Sequence, residues 1–227
     1  MKYVIFGRVL PERAAVGFPP QVWRSQAGDC FTISCDASQL SINADLPSAE
    51  GYVDAFIMAE QVAQAVVSAL GFALGSSYSV ELLRVVTETL DPVTLGVRPG
   101  NLEFDPSDPV FLQAKELAKT DVVFRLALRD YVRAIGQTID CAHYCYRAIE
   151  AIKSAFAADA QGDGWPEMHE TLGTTRGEID AAVKDYADPV RHGNWLAFKS
   201  TTALERNNML RVTRGILERY LKWKGVA

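Results

Sequence analysis

One stretch constrains the fold of this chain more than any other: Gln137 to Ala158, which reads QTIDCAHYCYRAIEAIKSAFAA. Three polar residues lie within or beside its apolar stripe: His143, Arg147 and Glu150. A helix that only packs against its neighbours does not need them. That stripe has the spacing of an α-helix with one buried face: Ile139, Ala142, Tyr146, Ile149, Ile152 and Phe156. We therefore expect the residues after 107 to form helices packed around this one.

Composition favours a soluble globular protein, since 48% of the 227 residues are apolar and 22% are charged. The formal net charge is −5, but the two halves differ. Residues 1–107 hold 6 of the 23 basic and 12 of the 28 acidic side chains, which leaves 17 and 16 for residues 108–227. An anionic partner is therefore expected on the second half.

The four cysteines indicate neither disulfides nor a metal site. Cys30 and Cys35 are five residues apart in a predicted strand and so face opposite sides. Cys141 and Cys145 are one helical turn apart, on a different face from His143, and are predicted to be buried thiols of the core. Because no CxxC or HxxxH companion exists, we expect no metal.

Targeting and cofactor motifs are also missing from the sequence. The start, MKYVIFGRVL, is too short and too charged for a signal peptide, and no run of about 18 apolar residues predicts a membrane span. No GxGxxG, GxxxxGK[ST] or GxSxG pattern is present. We therefore expect a cytoplasmic protein without a cofactor.

Residues 1–107 are predicted to form an α+β domain with a small sheet and one helix across it. A long amphipathic helix is expected from Gly51 to Leu74. The segment 11–29, with Pro19, Pro20 and Gly28, is predicted to be a loop. Strands are predicted at 2–10, at 30–35, around Leu40 and Ile42, and at 77–88.

Residues 89–107 are predicted to be a linker, because Pro92, Pro99, Pro106, Gly96 and Gly100 interrupt them. An edge strand through Val97, Leu102 and Phe104 is the alternative. A helical bundle then covers residues 108–227, opening at Asp108 and Pro109, a suitable cap and first residue.

Within the bundle, the first apolar run extends to Ile135 and is expected to break near Thr120, where Thr120 or Asp121 caps a second helix. Shorter helices are predicted at 166–173 and 176–188, with Asp188-Pro189 interrupting the second or restarting a turn. A capping box at Thr202–Glu205 predicts the start of the last helix.

The candidate binding residues are Arg147 and Glu150, which share a helix face, and the adjacent pair Arg191 and His192. In one hypothesis, Arg147, Arg191 and His192 converge on a phosphate, and Glu150 orients an arginine. His192 is the candidate catalytic group, because it alone in this set titrates near neutral pH. In the alternative, Arg191 and His192 lie in the last turn before Gly193 and only complement a helix terminus.

A second anion surface is predicted along one helix, where Arg125, Arg129 and Arg133 are four residues apart and share a face. The alternative is a solvated face whose charge is balanced by nearby acids such as Asp121 and Asp130.

The helical half resembles the HEPN superfamily of all-α domains. The resemblance rests on CYRAIEAI at 145–152, on the helix that follows Trp165-Pro166, on VRHG at 190–193, and on the long final helix. It implies a helical bundle that dimerises. Members are often metal-independent ribonucleases of defence and toxin systems, and others bind RNA or nucleotides without catalysis.

The nuclease members use an arginine and a histidine separated by four to six residues. No histidine here follows an arginine at that spacing, and Arg191 and His192 are adjacent, which points them about 100° apart on a helix. Three functions stay open: a HEPN-like homodimeric module that binds RNA or a nucleotide, a ribonuclease using His192, and a protein-interaction scaffold without a ligand.

Overall fold

The computed structural model describes residues 1–89, 92–94, 107–157, 162–197, 199 and 201–225, without the side chains of 92–94 and 195. The chain divides into two units, Met1–Asn101 and Leu102–Ala227, and each has its own hydrophobic core. The first unit is a sheet with one long helix, and the second is helical. The predicted α+β class is therefore confirmed.

The described part of the N-terminal unit contains an antiparallel sheet in the order β2-β3-β4-β1-β5-β6. The strands predicted at 2–10, 30–35, 40–42 and 77–88 and the long helix are confirmed. In chain order the elements are β1 Lys2–Leu10, β2 Phe18–Arg24, β3 Cys30–Asp36, β4 Gln39–Asp45, α1 Tyr52–Leu74, β5 Ser79–Val86 and β6 Pro92–Thr94.

The core of this unit lies between the sheet and α1. Ile5, Ile42 and Ile33 are paired across β1, β4 and β3 and are fully buried, because alternate side chains of a strand face the same side. The buried alanines of α1, among them Ala59 and Ala63, are small enough for the helix to approach the sheet closely.

Helix α1 is long and apolar enough to cross a membrane, with a mean hydropathy of 1.5 over the relevant window, of which 33% is buried. The sequence predicts no membrane span, so this is a difference from expectation. A core helix of a soluble protein has the same length and composition, and α1 contributes Ala55, Phe56 and Val67 to the core of its unit.

The predicted loop over residues 11–29 is wrong at Phe18–Arg24, which form strand β2. Pairing with β3 outweighs the tendency of the two prolines to interrupt a strand. The register shifts between Phe18 and Gln21, where Pro19 and Pro20 lie. Strand β2 is at the edge of the sheet, where a residue without an amide hydrogen is tolerated.

The predicted linker over residues 89–107 is wrong at Pro92–Thr94, which form β6 and pair with β5. Pro92 begins the strand, a position at which a missing amide hydrogen is tolerated. The alternative edge strand through Val97, Leu102 and Phe104 lies outside the described residues.

The helical unit is built around α4, as the apolar stripe predicts. Seven α4 residues are buried, including Cys141 and Cys145, and α4 packs against α3, α5, α7 and α8. The helices are α2 Pro109–Thr120, α3 Val122–Gly136, α4 Cys141–Ser154, α5 Trp165–Leu172, α6 Arg176–Ile179, α7 Asp185–Arg191 and α8 Ala203–Trp223.

The predicted starts of α2, α3 and α8 are confirmed, whereas the helix expected from Gln137 begins at Cys141. The Asp108 carboxylate accepts the amides of Val110 and Phe111, and Asp121 accepts the amide of Phe124 at the start of α3. Thr202 and Glu205 form the reciprocal capping box of α8. Each cap satisfies amides that a helix leaves without an internal partner.

The predicted interruption at Asp188-Pro189 is wrong, because helical conformation continues through Pro189 to Arg191. The five residues before α7, Asp180–Lys184, are a π-helix. The wider turn of the π-helix changes the path of the backbone shortly before Pro189, which has no amide hydrogen to donate. Arg191 thereby stays on a helix that packs against α4.

Candidate functional site

The candidate site begins with a buried carboxylate. Asp130 lies on the core-facing side of α3 with Phe124, Ala127 and Ala134, and only 3% of it is exposed. A carboxylate out of water must be paired with cations or hydrogen-bond donors, or it strongly destabilises the fold. The partners of Asp130 therefore decide what this part of the surface can do.

Three arginines meet this carboxylate. Arg129 Nε is 3.3 Å from Oδ1, Arg147 Nη2 is 3.2 Å from Oδ2, and Arg133 Nη1 is 4.0 Å from Oδ1. Their side chains are 36–48% exposed, so the guanidinium groups reach solvent while their counterion does not. These four residues, called the Asp130 cluster below, carry two more positive than negative charges.

The ring of Tyr144 supports two members of the cluster. The guanidinium carbons of Arg133 and Arg147 lie 5.9 and 5.6 Å from its centroid, within the range of a cation–π contact. The ring of His143 meets the same tyrosine edge-on, with the centroids 5.4 Å apart. Tyr144 thereby restricts where the arginines lie.

His143 is one helical turn before Arg147 and borders the cluster. Its Nδ1 is buried and has no hydrogen-bond partner among the described residues. Burial and the charge of Arg147 lower its pKa, Arg191 acts in the same direction, and Asp140 and Asp130 oppose them. Since the ordinary pKa of histidine is about 6.5, His143 is a neutral imidazole at neutral pH.

Arg191 lies against the same helix but is neutralised there. Its Nη2 is 3.1 Å from Glu150 Oε1, its Nη1 is 3.4 Å from Asp188 Oδ1, and its guanidinium covers the Tyr146 ring at 4.7 Å. Two carboxylates hold one arginine, so this pairing leaves no positive charge for a ligand. Glu150 does orient an arginine, and that arginine is Arg191.

His192 lies elsewhere. It is exposed at the end of α7 and lines a cavity of about 370 Å³ with Asp185, Asp188, Asn194 and Lys199, along with Pro189 and Ala197. Of the predicted binding residues, Glu150 and Arg191 are brought together, whereas Arg147 joins the Asp130 cluster. Of the two acids of the His192 cavity, Asp188 is paired with Arg191 and Lys184, so Asp185 is the acid that opposes a phosphate there, beside Lys199.

The predicted arginine surface divides in the same way. Arg129 and Arg133 belong to the Asp130 cluster, where they meet Arg147 of α4. Arg125 does not, and its Nη1 is 3.5 Å from the carbonyl oxygen of Ala118. Residues assigned to two separate surfaces therefore form one cationic cluster.

The residue that the sequence interpretation undervalues is Asp130, which it treats as a neighbour on a solvated face. The signal was present, because an acid occurs among the apolar positions of an amphipathic helix. Such an acid has to be compensated by the facing helix. Within the part of the chain that the structure describes, no group of His, Cys, Asp and Glu is arranged to hold a metal ion.

Comparisons with known proteins place both units in families. Residues 110–224 match the family described as "Domain of unknown function (DUF8168) C-terminal domain", and residues 3–92 match the corresponding N-terminal domain. No curated protein and no solved structure gives a significant match to the chain.

Proposed function

We propose a function for a chain that belongs to the DUF8168 family: its helical unit is a HEPN-like binding module that holds a phosphate of RNA or of a nucleotide. The ligand binds at the Asp130 cluster. One observation carries this proposal, namely three partly exposed guanidiniums gathered on one buried carboxylate. The single carboxylate of the cluster neutralises only one of its three positive charges.

Phosphate suits this cluster for a geometric reason. A guanidinium presents several N–H donors in one plane and forms paired hydrogen bonds with phosphate oxygens. Asp130 engages one nitrogen each of Arg129 and Arg147, which leaves further donors on both groups. A guanidinium plane is also a surface on which a base can stack, and these side chains are partly exposed, which favours RNA or a nucleotide over a simple anion.

Anisotropy titrations over a salt series test the proposal. The wild type, an Arg133→Ala/Arg147→Ala variant and an Arg211→Ala/Arg214→Ala control are titrated with labelled single-stranded RNA and a labelled nucleotide. The control removes the same charge from the exposed face of α8. We expect the cluster variant to bind RNA at least about tenfold more weakly, with the slope of log affinity on log salt reduced by about 0.7 for one lost phosphate contact.

Equal affinities of the cluster variant and the control would overturn the proposal. That result would favour the alternative in which the helical unit is a ligand-free protein-interaction scaffold, for which the arginines affect stability alone. A dimer through the helical unit belongs to the HEPN-like proposal, and light scattering of the full chain would test it.

The ribonuclease hypothesis has less support than binding. It needs His192 as general acid or base beside an arginine, but Arg191 is held by Glu150 and Asp188, and the His192 cavity contains two acids. Incubation of the protein with structured RNA in EDTA separates the two functions. Cleavage that is lost in His192→Ala would favour the enzyme.

A further inference from the structure

We propose that the Asp130 cluster recognises a terminal phosphate, a phosphomonoester such as the 5′-phosphate of an RNA or a nucleotide, and that His143 is a binding residue for that end. This inference rests on the proposed function and names its ligand class. Four properties of the site lead to it: its charge, its compactness, its acidic borders and the environment of His143.

The charge of the cluster matches a dianion. Arg129, Arg133 and Arg147 against Asp130 leave two positive charges. A phosphomonoester carries a charge of −1.5 to −2 at neutral pH, roughly twice that of a diester within a chain. A backbone phosphate would neutralise only half of the excess.

The cluster is compact rather than extended. Each arginine places a nitrogen within 4.0 Å of the same carboxylate, so the three guanidinium groups are gathered around Asp130, and the donors that Asp130 does not engage lie in one small region instead of following a line. A phosphomonoester offers three unsubstituted oxygens to such a set, whereas a diester offers two. A track for a polynucleotide backbone would need cations repeated along its length.

Acidic groups border the cationic region on α4. Asp140 precedes the helix, and Glu150 and Asp188 lie beyond Arg147 toward α7, where they hold Arg191. Because Arg191 and Lys184 are paired with Glu150 and Asp188, a continuous polyanion lying along α4 would find this group of charges already balanced. A single terminal phosphate ends before it reaches them.

His143 supplies the group that distinguishes the two kinds of phosphate. It is one turn from Arg147, it shares the Tyr144 contact with the arginines, and its buried Nδ1 has no partner among the described residues. A dianionic monoester held by the arginines offsets the charge of Arg147 that lowers the pKa of His143, so the imidazole can take a proton from solvent and pair with the phosphate. A diester carries a single negative charge and does this less, so His143 favours the terminal phosphate.

The direct test compares RNAs that differ only at the 5′ end. A short single-stranded RNA labelled at its 3′ end is prepared with a 5′-phosphate and with a 5′-hydroxyl, and both are titrated against the full chain. We expect the 5′-phosphate to tighten binding about tenfold in the wild type, the gain typical of a charge-assisted contact. Adenosine 5′-monophosphate should likewise compete better than 3′,5′-cyclic adenosine monophosphate, its diester counterpart.

Substitutions of His143 test whether this residue causes the preference for the 5′-phosphate. We expect His143→Gln to reduce the preference for the 5′-phosphate to about twofold or less and to leave the affinity for the 5′-hydroxyl RNA unchanged. His192→Gln is the matched control and should keep the full preference. Because His143 is half-buried, His143→Asn is measured as well, and thermal melts establish that each variant is folded.

The failures of the two proposals are distinguishable. Equal affinity for both RNA ends, with binding still dependent on Arg147, would overturn the terminal-phosphate inference and leave the phosphate-binding function standing. A preference that survives in a folded His143 variant would overturn the role of His143. Loss of all dependence on the arginines would remove the proposed function itself.

Discussion

Two buried aspartates, one in each unit, are satisfied in opposite ways. Asp29 is 2% exposed and accepts hydrogen bonds from the Ser25 hydroxyl at 2.8 Å and from the Ser48 hydroxyl and amide at 2.7 and 3.2 Å. Asp130 is 3% exposed and is paired with three arginines. The first carboxylate has neutral donors, and the second has cations.

This difference in partners distinguishes Asp29, which has a structural role, from Asp130, whose partners can bind a ligand. The groups that donate hydrogen bonds to Asp29 can form few others, so the interactions of this aspartate stay within its own loops. The guanidiniums around Asp130 have unused N–H groups and positive charge that reach solvent. Burial of an acid therefore does not identify a functional site, whereas the charge and exposure of its partners do.

The largest effect is expected for Asp130→Ala. Removing the carboxylate leaves three guanidiniums close together without a counterion, and we expect a loss of about 3 kcal/mol of unfolding free energy. Urea unfolding followed by far-ultraviolet circular dichroism measures it, with Glu116→Ala as the control for an exposed acid. A loss below about 1 kcal/mol would show that the arginines do not depend on Asp130.

Asp29→Ala should cost less, about 2 kcal/mol, because it leaves neutral donors unpaired rather than like charges. The same urea titration measures the change. The contrast between the two aspartates breaks down if Asp29→Ala proves more damaging than Asp130→Ala.

The Asp29 site should also depend on pH. Burial acts to raise the pKa of Asp29, but hydrogen bonds from Ser48 and Ser25 outweigh it and hold the pKa below the ordinary value. The folded pKa is thus below the unfolded one, so the stabilisation is present above about pH 4 and disappears as the pH falls through the folded pKa. We expect the stability difference between wild type and Asp29→Asn to shrink over that acid range, and a constant difference would contradict this.

Ser48→Ala tests the same contrast by changing a hydrogen-bond partner of Asp29 rather than Asp29 itself. It removes one hydroxyl donor from a buried carboxylate, and about 1 kcal/mol of stability should be lost. RNA binding should not change, because Ser48 belongs to the N-terminal unit. Thermal melts and anisotropy titrations check the two expectations.

Arg133→Ala should have the smallest effect on stability, below about 0.5 kcal/mol, because its contact with Asp130 is long and its side chain is 48% exposed. Its effect on phosphate binding should nevertheless be several-fold. An arginine that matters to stability but not to binding would reverse the distinction between the two aspartates.

Much of this fold follows from local signals. Asp108-Pro109 and the Thr202–Glu205 box predict helix starts because all the interacting groups lie within four residues. The apolar stripe of α4 likewise predicts the centre of the helical unit. Strand β2 is missed because pairing with β3 outweighs the local effect of Pro19 and Pro20.

The candidate site depends on contacts that no local signal contains. The sequence interpretation singles out Arg147 on α4 and Arg129 and Arg133 on α3, but assigns them to different surfaces. What joins them is Asp130, and its role becomes apparent only when α3 packs against α4. The packing of two helices, rather than the spacing within one, brings those groups together.

The prolines of β2 have a consequence for association between molecules. An edge strand normally offers a row of free amides and carbonyls to which a strand of another molecule can hydrogen-bond. Because the amides of successive strand residues point to opposite sides, one of the consecutive residues Pro19 and Pro20 removes a donor from that row, and the register shifts at the same place. The sheet is therefore protected at this edge against intermolecular β-pairing, and replacing both residues should make the protein more prone to aggregate.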